Sequence, residues 1–182
     1  MKPRAEGGFQ SNIFVMRKNV FWFVAVVLGA LLQSTWPDFL KVEGVLPDLT
    51  LILVIYFAIV DGEERAMFTG LLGGIYQDVA SNTVLGHHVL CLVILGYIVA
   101  RFSHRLVTEH PAIKAALVFG AAVAHGVLFT SILYVQKPDI SPLFLIVMSV
   151  VPAAFYSALV TPVVFLLLGL TFHRKELIQG AI

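Results

Sequence analysis

Charge is what this sequence has least of. Only 13% of its 182 residues are Asp, Glu, Lys or Arg, against about 25% in an average soluble domain. A soluble fold of this size would lack the polar side chains to cover its surface. The net charge is +1, so no basic field is available for nucleic acid. No arginine-rich run, zinc-finger spacing or strand-borne aromatic pattern suits that partner either. Cysteine occurs once, as Cys91 within an apolar run. That excludes an intramolecular disulfide and fits a small buried hydrophobe. Catalytic signatures are missing too: there is no HExxH, no GxSxG and no P-loop glycine–lysine pattern. Asp78, His87 and His88 fall short of a metal site, which needs three or four converging ligands, because adjacent histidines on a helix point apart by about 100°. The residues point to no enzyme, no metal and no cofactor.

What is abundant is apolar. Hydrophobic residues make up 59% of the chain and the mean hydropathy is +0.92. The expected fold is an all-α integral membrane protein, a six-span helical bundle over residues 20–172, between tails at 1–19 and 173–182. The spans fall near 20–36, 47–60, 66–80, 88–102, 112–135 and 143–171. Arg17 and Lys18 before the apolar run from Phe21 to Leu32 imitate a signal peptide. No small-x-small cleavage site follows, so an uncleaved first span is expected. Spans two to four are shorter than the roughly 20 residues of a straight spanning helix. Either they extend into the loops or the bilayer thins locally. The last apolar run, Leu143 to Thr171, would measure ~43 Å as a helix, against a hydrocarbon core of ~30 Å. It contains Pro152 and Pro162, so a kink or an interfacial first part is expected.

Charge orients these spans. With the N-terminus inside, Lys2, Arg4, Arg17, Lys18, Arg65, Arg101, Arg105, Lys114, Arg174 and Lys175 fall on the inner side, leaving only Lys41 and Lys137 outside. By the positive-inside rule both termini are cytoplasmic.

The third span carries the most specific pattern. Ala66, Gly70, Gly74 and Asp78 recur every four residues and form one narrow stripe on a helix. Gly73 and Gln77 widen it. In a bilayer such a stripe lets a second helix approach closely. A similar stripe, Ala112, Ala116, Gly120 and Ala124, lies on span five. Two readings stay open: packing inside the bundle, or docking of a helix from another protein.

Few polar side chains sit at membrane depth: Gln33, Gln77, Asp78, His87, His88 and His125 lead the list. Ionisable groups there need a partner or water. Asp78 and His125 both fall ~18–20 Å from the inner face by helix rise, within reach of each other. The alternative is that Asp78 caps the loop that begins near Ser81, ordering the turn to Gly86, and that His125 bonds a backbone carbonyl. Pro47-Asp48 reads as a helix start, with proline in the first turn and a carboxylate at the positive end of the helix dipole. A ligand-contacting role for Asp48 is the other reading.

The run from Pro47 to Tyr56, PDLTLILVIY, then Gly70-x3-Gly74-x3-Asp78-x7-Gly86, then Leu95-Gly96-Tyr97 resembles the bacterial rod shape-determining protein MreD family. The resemblance covers residues 20–172 in size and span order, and its motifs lie in 46–101. It implies a non-catalytic protein of the bacterial inner membrane, part of the complex that directs lateral-wall peptidoglycan synthesis. The implied direct partner is MreC, which has one membrane helix. RodA, the elongation-specific penicillin-binding transpeptidase and the MreB filament belong to the wider complex. The implied bundle is similar to the S-components of energy-coupling-factor transporters. Pro47, Gly70, Gly74, Asp78 and Gly86 are carried over as motif positions without assigned roles. The alternative function is a small-molecule-binding membrane subunit of an energy-coupling-factor type transporter, with Asp48, Asp78, His87 and His88 all towards the outer side.

Overall fold

The computed structural model describes residues 6–35, 45–82, 84–103, 110–136 and 141–179. These are mostly helical, joined by short turns, with no β-strand among them. The order is α1 (Glu6–Ser34), α2 (Leu49–Val60), α3 (Glu63–Ala80), α4 (His87–Ser103), α5 (Pro111–Gln136), α6 (Pro142–Leu145), a π-helical turn (Ile146–Val150) and α7 (Val151–Gln179). Each expected span overlaps a helix, the last run being shared among α6, the π-helical turn and α7. Residues 36–44, 104–109 and 137–140, in the stretches that link spans, lie outside the described residues.

Helix α1 extends upstream of the first expected span to Glu6, with no proline in 6–34. At the other end α7 continues to Gln179.

Helix α2 is the centre. Every residue from Leu49 to Ala58 is buried, as expected for a helix that is apolar all round. Leu53, Tyr56 and Phe57 meet Val26 and Trp22 of α1. Leu51, Ile52, Val54 and Ile55 meet Leu92 and Leu95 of α4, Val118 and Ala122 of α5, and Ala154 of α7. With 12 residues, α2 is only ~18 Å long. It is short because Asp48 and Asp61 bound it, and its packed neighbours supply the rest of the thickness.

Two helices, Pro111–Gln136 and Leu143–Thr171, are long and apolar enough to cross a membrane. Outward-facing Phe23, Leu28, Leu32, Phe144, Phe155, Leu159, Leu166 and Leu167 give an apolar exterior larger than water-soluble monomers carry. The expected break in the last run is the π-helical turn. Val151 N–H donates to the carbonyl of Ile146, five residues back, and Pro152 follows with no N–H to give.

Helices α3 and α4 touch backbone to backbone. A Cβ on Gly70 would lie 2.9 Å from the carbonyl carbon of Leu92, and one on Gly74 would lie 2.6 Å from the Cα of Val89. Further along, Gly96 meets the backbone of Ala66. The rungs Ala66–Gly96, Gly70–Leu92 and Gly74–Val89 climb towards Asp78. The span-three stripe is therefore occupied from within the chain. Docking of a foreign helix on Gly70 and Gly74 is corrected: α4 already fills that face. The α5 stripe differs. Ala112, Ala116 and Gly120 are exposed, and a Cβ on Gly120 would meet nothing within 4 Å.

At the end of α3 where Glu63 lies, the Asp61 carboxylate holds Lys18 of α1 and approaches Arg65 Nη1 at 3.8 Å. Arg65 Nη2 donates to Asn19, and its guanidinium lies over the Trp22 ring. Trp22 Nε1 donates to Thr69 Oγ1 at 2.8 Å. This network pins α1 to the α2–α3 turn, where Gly62, at φ +87°, reverses the chain.

Candidate functional site

The opposite end of α3 carries the polar chemistry. Asp48 caps α2: its Oδ1 accepts from Leu51 N–H at 3.0 Å. Pro47 is buried and precedes the cap rather than occupying the first turn. The same Oδ1 accepts from Gln77 Nε2 at 2.9 Å, and Asp48 N–H donates to Ser157 Oγ at 2.9 Å. Oδ2 lies 3.5 Å from His125 Nδ1. One residue thus ties α2 to α3 and α5 through its carboxylate and to α7 through its backbone N–H.

Asp78 does a parallel task for α4. Its Oδ2 accepts from Gly86 N–H at 2.7 Å, and Oδ1 accepts from His88 N–H at 2.9 Å. His88 Nδ1 lies 2.9 Å from the same Oδ1. The first N–H groups of a helix have no helical partner, and here the preceding helix supplies the acceptor. Gly86 sits at φ +108°, a conformation that L side chains avoid. The carboxylate thus orders the turn to Gly86, as expected, and caps the start of α4 at His88.

The Asp78–His125 contact does not form. Helix α3 packs on α1, α2 and α4, whereas α5 packs on α2, α4 and α7, so α2 and α4 separate the two. His125 faces Asp48 at the α2 N-terminus instead, and does not rest on a backbone carbonyl. The two carboxylate–histidine pairs are still neighbours, with the His88 and His125 rings 5.9 Å apart and the His88 ring 4.4 Å from that of Phe129. His87 turns away and meets Gln136 Nε2 at 2.8 Å.

These groups border a cavity of about 530 Å³, lined by Gln33, Asp48, Gln77, His88, His125 and Ser157 among others. Two buried atoms of these lining residues have no hydrogen-bond partner: Gln77 Oε1 and His125 Nε2. Gln33 is engaged, accepting from Thr50 N–H and Oγ1. Among the described residues no group of three metal-ligating side chains converges. Gly70 and Gly74 lie off the cavity and act through the α3–α4 contact.

Ser157 is the residue the sequence reading misses. It accepts from Asp48, donates to Ala153 O at 2.8 Å, and its own carbonyl accepts from Thr161. The available signal was Ser157 and Thr161, four apart in an otherwise apolar run.

The model of the rod shape-determining protein MreD family matches residues 16–175. The chain belongs to the MreD family. It is therefore a membrane protein of the machinery that determines rod shape, from a family of shape-determining structural components. The match takes in both the Asp48 and the Asp78 pairs, so the polar end of the bundle lies inside the family region. No curated relative and no solved structure matches the chain, so the expected likeness to the S-component bundle has no solved structure beside it.

Proposed function

We propose that this MreD-family protein is a non-catalytic, multi-pass component of the bacterial inner membrane that binds MreC and helps to organise lateral peptidoglycan synthesis. RodA, the elongation-specific penicillin-binding transpeptidase and the MreB filament are its wider company. Both termini are cytoplasmic in this reading. Family membership over residues 16–175 is the observation that carries it. The uncovered small-residue face of α5, Ala112, Ala116 and Gly120, supports a helix-docking role, because small residues allow close approach of a second membrane helix.

Replacing Gly120 with leucine tests this. The Cβ meets no atom of the described residues within 4 Å, so the fold is expected to survive while co-purification with MreC falls at least tenfold. Unchanged association and unchanged cell shape would reject α5 as the docking face. Unchanged rod shape on deleting the whole protein would reject the function.

The cavity beside Asp48 favours a second reading, a small-molecule-binding membrane subunit of an energy-coupling-factor type transporter. Its support is a volume of about 530 Å³ whose mostly apolar lining includes Asp48, Gln77, His88 and His125. Thermal stabilisation of the purified protein by one vitamin among a panel would favour it. No shift with any of them would count against it.

A further inference from the structure

Pro111–Gln136 and Leu143–Thr171, the two helices long and apolar enough to cross a membrane, leave a groove between them. Its volume is about 350 Å³, within the roughly 300–1,000 Å³ of ligand clefts. Pro162, Phe165, Leu166, Gly169 and Leu170 of α7 form one wall, and Lys114 in the first turn of α5 stands on the other. Leu166 and Leu170 are 62% and 59% exposed, so the groove opens sideways from the bundle. A Cβ on Gly169 would meet nothing within 4 Å, which leaves open space beside it. On a spanning helix, a sideways apolar groove faces the bilayer.

Lys114 is the one charged residue among the described lining residues. Among the described residues no carboxylate lies within 4 Å of it. A lysine at a span end ordinarily reaches away towards water. This one is half-buried, with its ammonium 5.6 Å from the centre of the Phe165 ring. That ring is held in turn by Tyr56 of α2, edge to face at 5.2 Å. A ring face attracts the charge but is a poor partner for three N–H donors. The first turn of α5 is also the positive end of its dipole, where a cation is disfavoured and an anion favoured. The counterpart that fits is an anion carried on an apolar body.

The geometry points to a binding site for an anionic phospholipid, with an acyl chain against the α7 wall and the phosphate at Lys114. Charge at this end of the bundle agrees, because Arg174 and Lys175 follow Leu170 on the same helix. Basic pockets between membrane helices take anionic headgroups for the same reason. The site is separate from MreC docking, since Ala112, Ala116 and Gly120 lie on the other side of α5 by helix geometry.

Native mass spectrometry of the full chain tests the site, after release from nanodiscs holding equal amounts of phosphatidylglycerol and phosphatidylcholine. Phosphatidylglycerol should be retained about fivefold over phosphatidylcholine, the effect of one lysine on an anionic lipid. Phosphatidylcholine has the same acyl chains and no net charge, so it isolates the headgroup. Lys114→Gln keeps the stem and removes the charge, and should bring the ratio close to one. Lys114→Arg should hold it. Gly169→Leu puts a side chain into open space and should lower retained phosphatidylglycerol about as far as Lys114→Gln, with the thermal midpoint in detergent unchanged. Equal retention of the two lipids by the wild type would overturn the site, as would a preference that survives Lys114→Gln. If retention is unselective while Lys114→Gln lowers MreC co-purification, the groove takes a protein helix and the lipid site is overturned as well.

Discussion

Asp78 accepts both the backbone N–H and the ring Nδ1–H of His88 on a single carboxylate oxygen, each at 2.9 Å. Its other oxygen takes Gly86 N–H at 2.7 Å. Three donors thus converge on one side chain that belongs to the previous helix. The side chain is buried, so these bonds are not shared with solvent, and the α3–α4 turn depends on them.

Asp78→Asn therefore does not conserve the structure, although the amide retains an acceptor. An asparagine has one acceptor oxygen, and its NH2 would face either Gly86 N–H or the His88 donors. A loss of about 1–3 kcal/mol is expected. It should be read as a lower thermal midpoint of the purified protein, with Asp78→Leu lower still. An Asp78→Asn variant as stable as the wild type would show that the carboxylate is not the α4 cap.

Gly74→Ala should destabilise the bundle, by about 1–3 kcal/mol as for other overpacked contacts. Its Cβ would press on backbone atoms of Val89 and His88 at 2.6–3.0 Å, which have no rotamer to escape into. Gly120→Ala should leave stability unchanged, since no atom lies within 4 Å. Thermal unfolding of the two variants in the same detergent decides the comparison. Equal midpoints would refute the backbone-contact account of the α3 stripe.

Gly86→Ala separates strain from crowding. No atom lies within 4 Å of the added Cβ, so any cost comes from φ +108° alone. About 1–2 kcal/mol is expected, with the remaining α3–α4 contacts intact. Chemical denaturation with a helix-sensitive readout should show a lower midpoint and an unchanged slope.

Topology gives the remaining test. With Lys18, Arg65, Arg101 and Lys114 on the inner side, fusions of a cytoplasm-active reporter to either end should both be active. Periplasm-active reporters should be silent at both ends. A C-terminal fusion active only in the periplasm would remove one span from the proposed six.

Several features were legible beforehand because they are local. Gly62 falls in the gap between the expected spans at 47–60 and 66–80, and Pro152 falls where the last run was expected to break. Cap chemistry at Asp48 follows from a carboxylate preceding an apolar run. The stripe on α3 was visible, but its two uses were not separable in sequence, because periodicity states that a face is small and not what meets it. Ser157 was invisible for a related reason. A serine in an apolar helix can satisfy itself on its own carbonyls, and its bond to Asp48 spans 109 positions.

Composition and hydrophobic pattern alone determined that this chain makes apolar helices and lacks the side chains of a soluble surface. Burial of apolar groups and the spacing of turn residues are short-range properties, summed along the chain. Only the tertiary structure decided partners. It gave Gly70 and Gly74 to α4, left Gly120 bare, and matched His125 with Asp48 rather than Asp78. Helix rise sets depth along the bundle axis, so depth made Asp78 and His125 look like neighbours. Which helices stand side by side is set by packing around α2, and that packing put α2 and α4 between them.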